Sequence, residues 1–422
     1  MRILAINPWI VDCAAYDFWL KPYGFLVLLT YLKKKNIEID YIDCLDKKIK
    51  KDSLGRGKFY SEAIPKPEIL NDIPRKFKRY GISVEEFRAK INDKRTDLIL
   101  ITSSMTYWYL GIKEVEKILK ENFDSSPKIL GGIYPVLVPE HAEKNFPSFH
   151  IFSSSSLEEL FSFLNIPFNN YEFYTTLPIY ENFYHTLDYV VLRTSWGCPF
   201  NCSFCAIKKL FPSFLRLPKA KIIEFITKYY ERGVKNFVLY DDAFLYPPQE
   251  ARELLEEIKK LNLDIKIHTP NALHLRFLDE NLAYLLKECG FFNPHFGLET
   301  LNPELQKEWG DKVNKKELLQ GIKYLKKAGF REGEFSIYLL LGFPQQNLEE
   351  LKKDIEFLHR LGAKISLAEY SPTPGTRLFE EYKEELKEPL LHNNSIFYFF
   401  NKEMEKLFEI KNFTRQLNKR FL

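Results

Sequence analysis

Cysteine is scarce in this chain, with six among 422 residues. A small secreted scaffold stapled by disulfides is excluded on that count. An excess of one charge is also lacking: 61 basic against 57 acidic side chains leave a net charge of +4, too balanced to announce a nucleic-acid binder. No uninterrupted apolar run approaches the length of a transmembrane helix. The apolar start after Arg2 imitates a secretory leader. However, Asn7 and Pro8 break it, Asp12 and Asp17 follow, and no small-residue cleavage site is evident. The expectation is a cytoplasmic protein without a membrane segment. Aromatics, by contrast, are plentiful at 15%, ample material for a buried core. At roughly 150 residues per domain, the length predicts two or three domains.

Through residue 155 the chain alternates strand-like and helix-like patterns. Arg2 to Asn7, Glu38 to Cys44, Asp97 to Ser104, Pro127 to Gly132 and Phe149 to Ser153 read as strands. Gly24 to Lys35, Leu110 to Glu121 and Pro139 to Asn145 read as helices. This alternation predicts an α/β domain over 1–155 with a doubly wound, Rossmann-like parallel sheet. A charged insertion with some helix of its own occupies about 47–94. Gly55-Arg56-Gly57-Lys58 inside it lacks the spacing of a phosphate loop and reads as a solvated turn. Residues 156–188 read as a polar, proline-containing linker. A second series begins at Tyr189, with strands at Tyr189 to Thr194, Asn236 to Tyr240, Asp264 to His268, Asn293 to Leu298, Glu334 to Leu341 and Ala363 to Tyr370. Six strand–helix units predict a partial (β/α)6 barrel over 189–376, open on one side to a large substrate. Residues 377–422 read as a helical C-terminal extension. Its last 22 residues carry six basic and three acidic side chains, a solvated amphipathic face rather than an RNA-binding domain.

The distribution of the cysteines matters more than their number. Cys13, Cys44 and Cys289 are scattered, and Cys13 and Cys44 read as packed core thiols. Cys198, Cys202 and Cys205 sit together in Gly197-Cys198-Pro199-Phe200-Asn201-Cys202-Ser203-Phe204-Cys205, directly after the first strand of the second series. Barrel enzymes put their chemistry on such loops. Thiolates suit iron–sulfur clusters and zinc. A structural zinc site wants four protein ligands, whereas a four-iron cluster held by three cysteines leaves one iron open.

This C-x3-C-x2-C segment, with an aromatic before its last cysteine, resembles the hallmark of the radical S-adenosylmethionine (SAM) superfamily, over about Tyr189 to Pro374. The resemblance implies a [4Fe-4S] cluster on Cys198, Cys202 and Cys205, SAM chelated by the open iron, and reductive cleavage of SAM to a 5′-deoxyadenosyl radical. Further positions follow from it. Asp241 or Asp242, after the second strand, would receive the SAM ammonium, their alternative being a helix cap before Pro247 and Pro248. Glu299 would contact the ribose or carboxylate region. Phe204 and Gly342 would border adenine, with plain packing and a backbone turn as their alternatives. His268, Asn271 and His274, after the third strand, are candidate substrate ligands or acid–base groups. Glu369, Tyr370 and the turn Pro372 to Thr376 would border SAM or substrate.

The first domain resembles the cobalamin-binding domain that precedes one branch of the superfamily. Ser103, Ser104, Gly131 and Gly132 match loops that cradle the nucleotide tail of cobalamin. The Asp-x-His-x-x-Gly segment that supplies a cobalt-ligating histidine is absent, since the first histidine is His141. The resemblance implies a radical SAM enzyme acting on a small molecule, supplied with electrons by a donor such as flavodoxin or ferredoxin. With cobalamin, methyl transfer leads. Without it, a radical oxidation, rearrangement or ring formation does. An iron–sulfur module without turnover is the alternative of a different class.

Overall fold

A computed structural model describes residues 1–92, 94–397 and 404–421. The chain forms two compact units: Met1–Leu187 with Lys383–Ile396, and Asp188–Tyr382 with Phe397–Leu422.

In the first unit five parallel strands, β1 (Arg2–Asn7), β2 (Glu38–Asp43), β3 (Leu98–Ile101), β4 (Lys128–Leu130) and β5 (His150–Ile151), lie in the order β5-β4-β3-β1-β2. All of β3, and all of β1 after Arg2, is buried, as befits central strands of a sheet covered on both faces. The chain leaves β1 toward β2 on one side and returns as β3 on the other. The gap above β1 and β3 is therefore the topological switch point, where sheets of this order bind ligands.

Two readings need correction in this unit, the solvated turn at Gly57 and the linker at 156–188. The insertion at about 47–94 has a helix of its own, as expected, and adds short strands. Ser61–Ala63 and Ile10–Asp12 flank Lys78–Tyr80 in antiparallel pairing, and Lys48–Lys51 pairs with Gly57–Phe59. Its helix, Val84–Ile91, starts on a Ser83 cap. Gly57, expected in a solvated turn, is buried in the hairpin, where a Cβ would sit 2.7 Å from the Lys50 carbonyl. The stretch 156–188, read as a linker, packs instead. Its Phe161 and Phe173 meet the fully buried Tyr31 ring edge-on at 5.2 and 5.4 Å. The C-terminal extension is helical, as expected, in several pieces. Lys383–Ile396 belongs to the first unit, where Asn393 Nδ2 donates to buried Asp12 at 2.9 Å. The imidazole of His392 hydrogen-bonds Thr106 Oγ1 at 3.0 Å.

In the second unit the six expected strands are present: β6 (Val190–Leu192), β7 (Asn236–Leu239), β8 (Lys266–His268), β9 (His295–Glu299), β10 (Ser336–Leu341) and β11 (Lys364–Glu369). They form two parallel ladders, β6-β7-β8 and β9-β10-β11, with single parallel bridges, Ile267 to Phe291 and Leu273 to Phe296, along the seam. Helices between them begin where local chemistry dictates. Asn314 and Glu317 form a capping box, and Asp279 and Asn347 cap the helices that follow them. Helix Met404–Asn418 packs on β11 and on helix Leu348–Arg360. No helix among the described residues is long and apolar enough to cross a membrane.

Candidate functional site

The cysteine loop leaves β6 through Arg193 and Thr194. A two-stranded ribbon closes it at the base, pairing Ser195 with Arg216 and Trp196 with Leu215. Gly197 enters the loop at φ 77°, with its missing Cβ only 2.4 Å from the Ser213 carbonyl, so glycine is required there. Cys198 is buried, Cys202 half-buried and Cys205 exposed. Burial pushes the Cys202 thiol up to about 12, while the nearby Lys312 ammonium pulls the other way.

Asp241 is buried at 3% exposure. Both its oxygens accept from Thr194 N, at 3.1 and 3.0 Å. One of them also takes the hydroxyls of Thr194 and Ser195, each at 2.6 Å. This carboxylate grips the base of the cysteine loop. Asp242 pairs instead with Arg193 at 2.6 Å. Burial pushes its carboxyl up and Arg193 draws it back. Neither caps the following helix, whose N-cap is Pro247.

Glu299 ends β9 at φ 70°, just past a register shift between Gly297 and Glu299. Its Oε1 accepts from Lys312 Nζ at 2.9 Å, with the two side chains 12% and 16% exposed. Burial works against the ammonium, yet Glu299 opposite holds it protonated and its pKa rises above the ordinary lysine value. A cleft of about 240 Å3 brings Glu299, Lys312, Cys202 and Phe204 together with Thr300, Gln306 and Trp309. The Phe204 ring meets Trp309 edge-on at 5.9 Å, so the side chain packs. Gly342 adopts φ 83°, and its N–H donates to Gln346 Oε1 at 2.7 Å.

The remaining candidates disperse. His268 Nε2 meets Asn236 Oδ1 at 3.0 Å in the interior, and Asn271 donates to the Tyr240 carbonyl at 3.1 Å. His274 is buried and stacks on Phe200 of the cysteine loop, centroids 4.9 Å apart. Burial drives its pKa well below the usual histidine value. Glu369 is paired with Lys411, and Tyr370 lies in an apolar cluster with Trp309 and Phe343. Reasoning from sequence missed Lys312, Arg193 and Arg216. Nothing in the sequence marks Lys312; only the fold sets Gly297 beside it, where a Cβ would stand 2.4 Å from its Nζ.

In the first unit a crevice of about 280 Å3 opens at the switch point, lined by Asn7, Pro8, Trp9, Ser103, Ser104 and Trp108 among others. Ser103 Oγ donates to the Gly131 carbonyl at 2.9 Å and accepts from Tyr134 N at 3.1 Å. Gly132, at φ 96°, would carry its Cβ 2.3 Å from the Ser103 carbonyl. These two residues knit one loop to the other. Gly131 would carry a Cβ with nothing nearer than Phe152 at 3.9 Å.

Among the described residues no group of three or more His, Cys, Asp or Glu side chains is gathered as a metal ion would need. Three soft thiol donors on one loop, which also holds the buried Ser203 hydroxyl without a hydrogen-bond partner, fit a larger iron–sulfur group with an open position. The family model described as the radical SAM superfamily matches residues 193–358. The chain carries a radical SAM domain. An uncharacterized methyltransferase of Pyrococcus horikoshii is 30% identical over 213 residues, 49% of this chain and 45% of that protein. The ribosomal protein methylthiotransferase RimO of Thermodesulfovibrio yellowstonii is 24% identical over 212 residues, 48% of this chain and 49% of its own. The chain thus spans less than half the length of either relative. Among solved structures, the radical SAM methyltransferase TsrM of Kitasatospora setae superposes with a TM-score of 0.67 at 15% identity, covering 91% of this chain and 76% of TsrM. The cobalamin-dependent SAM radical enzyme OxsB gives 0.58 at 15% identity, over 97% of this chain and 57% of OxsB. At such identities the likeness is one of fold.

Proposed function

We propose that this chain is a radical SAM enzyme whose Cys198, Cys202 and Cys205 hold a [4Fe-4S] cluster with one open iron for SAM. The observation that carries the reading is the placement of three thiols on one loop at the C-terminal end of the first barrel strand, inside the matched radical SAM domain. When bound and reduced, the cluster supplies the electron that splits SAM into methionine and a 5′-deoxyadenosyl radical. The protein's own part is positional. Asp241 and the Ser195–Arg216 ribbon fix the base of the loop, and the cleft between Cys202 and Glu299 offers SAM paired charges and a hydrophobic wall. The reading carries with it a small-molecule substrate and a one-electron donor of the flavodoxin or ferredoxin kind, in a cytoplasmic setting. Anaerobic reconstitution is expected to give about four irons per chain, with a reduced-state EPR signal that changes when SAM is added. Cys202→Ala is expected to abolish both. A variant that keeps a full, SAM-responsive cluster would sink the assignment.

The same reading extends to cobalamin in the first unit and to methyl transfer. What favours it is the crevice at the β1–β3 switch point, with Ser103 and Ser104 in its wall, together with Gly131, which packing does not oblige to be glycine. The protein offers no histidine in that wall. Hydroxocobalamin is therefore expected to stay with the protein through anaerobic gel filtration, with a spectrum lacking a histidine-ligated cobalt. Loss of the corrinoid from protein with an intact cluster would remove the methyltransferase reading and leave radical oxidation or rearrangement.

A further inference from the structure

We infer that Lys312 is a positioning residue that sets the reduction potential of the centre held by Cys198, Cys202 and Cys205, with Glu299 as its electrostatic opponent. The inference rests on the proposal that an iron–sulfur cluster binds those thiols.

The chain builds this ion pair into the wall of the cysteine cleft. Lys312 and Cys202 line the same cleft. The loop carrying Lys312 rides on the cysteine loop through Gly310, at φ 113°, where a Cβ would come within 3.1 Å of Cys202 Cα and 3.2 Å of the Asn201 carbonyl. On the other side, Gly297 leaves a notch: a Cβ there would stand 2.4 Å from Lys312 Nζ and 2.8 Å from Glu299 Oε1. Glu299 reaches the ammonium from a left-handed backbone at φ 70°, a conformation a glutamate rarely adopts. Two glycines and one strained residue thus converge on a single pair whose partners are only 16% and 12% exposed. A surface pair needs none of this.

Taking up one electron from an external low-potential donor adds one negative charge to the centre. In a partly desolvated cleft, charges lining the same wall act with little screening. An ammonium stabilises the reduced form and a carboxylate opposes it. The two halves of the pair therefore have opposite effects on the same quantity. A purely structural pair has no such property, because its loss disturbs the cleft alike from either side.

The test is an EPR-monitored redox titration of anaerobically reconstituted, SAM-free protein, with iron content measured on each variant. Lys312→Met is expected to lower the reduced-to-oxidised ratio at fixed potential about tenfold, equivalent to about 59 mV more negative for a one-electron couple. Glu299→Gln is expected to move the potential the other way, and Lys312→Arg to stay near the parent. If Lys312→Met fails to fold or to hold iron, Lys312→Gln is read in its place. Unchanged potentials, or shifts of the same sign in the lysine and glutamate variants, overturn the inference. A parent protein that takes up no iron overturns the cluster proposal beneath it.

Discussion

Both units present loops at the C-terminal ends of parallel strands, but the loops are finished differently. In the first unit they satisfy one another: Ser103 bonds Gly131 and Tyr134, and Gly132 presses its backbone on Ser103. In the second, the cysteine loop is held from outside. Asp241 and the Ser195–Arg216 ribbon fix its base, while Ser203 Oγ stays buried without a hydrogen-bond partner and none of its three cysteines is in a disulfide. A loop anchored by its neighbours keeps its own donors for a ligand. A loop that closes on itself has fewer left to give.

The sharpest way to break that contrast is to remove the outside anchor. Asp241→Ala takes away the acceptor for two hydroxyls and a backbone N–H, each a hydrogen bond to a buried carboxylate. Leaving those donors unmatched is expected to cost about 3 kcal/mol, read as a lower urea midpoint, and to reduce iron uptake. Asp242→Asn, which loses one ion pair to Arg193, is expected to cost about 1 kcal/mol. The Arg193 guanidinium keeps its place over the Trp196 ring, 4.8 Å from the centroid. If the two variants were equally stable, Asp241 would not be the anchor. If Asp242→Asn alone weakened SAM binding, the contrast would sharpen, with one aspartate for the loop and the other for the ligand.

A smaller effect tests how the first unit closes on itself. His392 is buried and its Nε2 lies 2.8 Å from the Leu386 carbonyl, so that nitrogen carries the proton and donates. Nδ1 then accepts from Thr106 Oγ1 at 3.0 Å. Burial lowers its pKa from 6.5 to about 4, with Glu388 and His141 as the charged neighbours. The stabilisation is complete above the unfolded value. As pH falls below 6.5 the unfolded chain takes the proton first, and the contribution is gone once pH passes about 4. The melting temperature is expected to fall through this window in the parent, and less steeply in His392→Asn. Equal slopes would show that another group governs the acid limb.

The strands and the cysteine loop were legible because their signals are local. Apolar runs mark β1, β3 and β10, and three cysteines within eight residues mark the loop that carries the proposed cluster. What escaped depends on partners far along the chain. Nothing next to Asp241 reveals Thr194 and Ser195, 47 and 46 positions earlier. Lys312 reads as one lysine among many until the bulge of β9 turns Glu299 toward it. The return of Lys383–Ile396 to the first unit rests on bonds such as Asn393 to Asp12, 381 positions apart. A helical periodicity cannot express that. The aromatics of 156–188 were visible, but their common target, Tyr31, was not.

The smallest expected effect belongs to Gly131, one of two adjacent glycines. Gly132 needs its positive φ of 96° and has the Ser103 carbonyl 2.3 Å from where a Cβ would be. Gly132→Ala is therefore expected to cost about 2–3 kcal/mol. Gly131 has no φ in the left-handed range and only Phe152 at ordinary contact distance. Gly131→Ala is expected to change stability by less than about 0.5 kcal/mol. If the first unit only knits its loops together, Gly131→Ala is silent in every assay. If a corrinoid lies against this backbone, the added methyl occupies space that the protein itself leaves open. Retention of hydroxocobalamin then falls while the urea midpoint stays with the parent. A variant with parental stability and parental retention would show that Gly131 faces no ligand, and that the self-closed loops of the first unit are closed to cobalamin at this point as well.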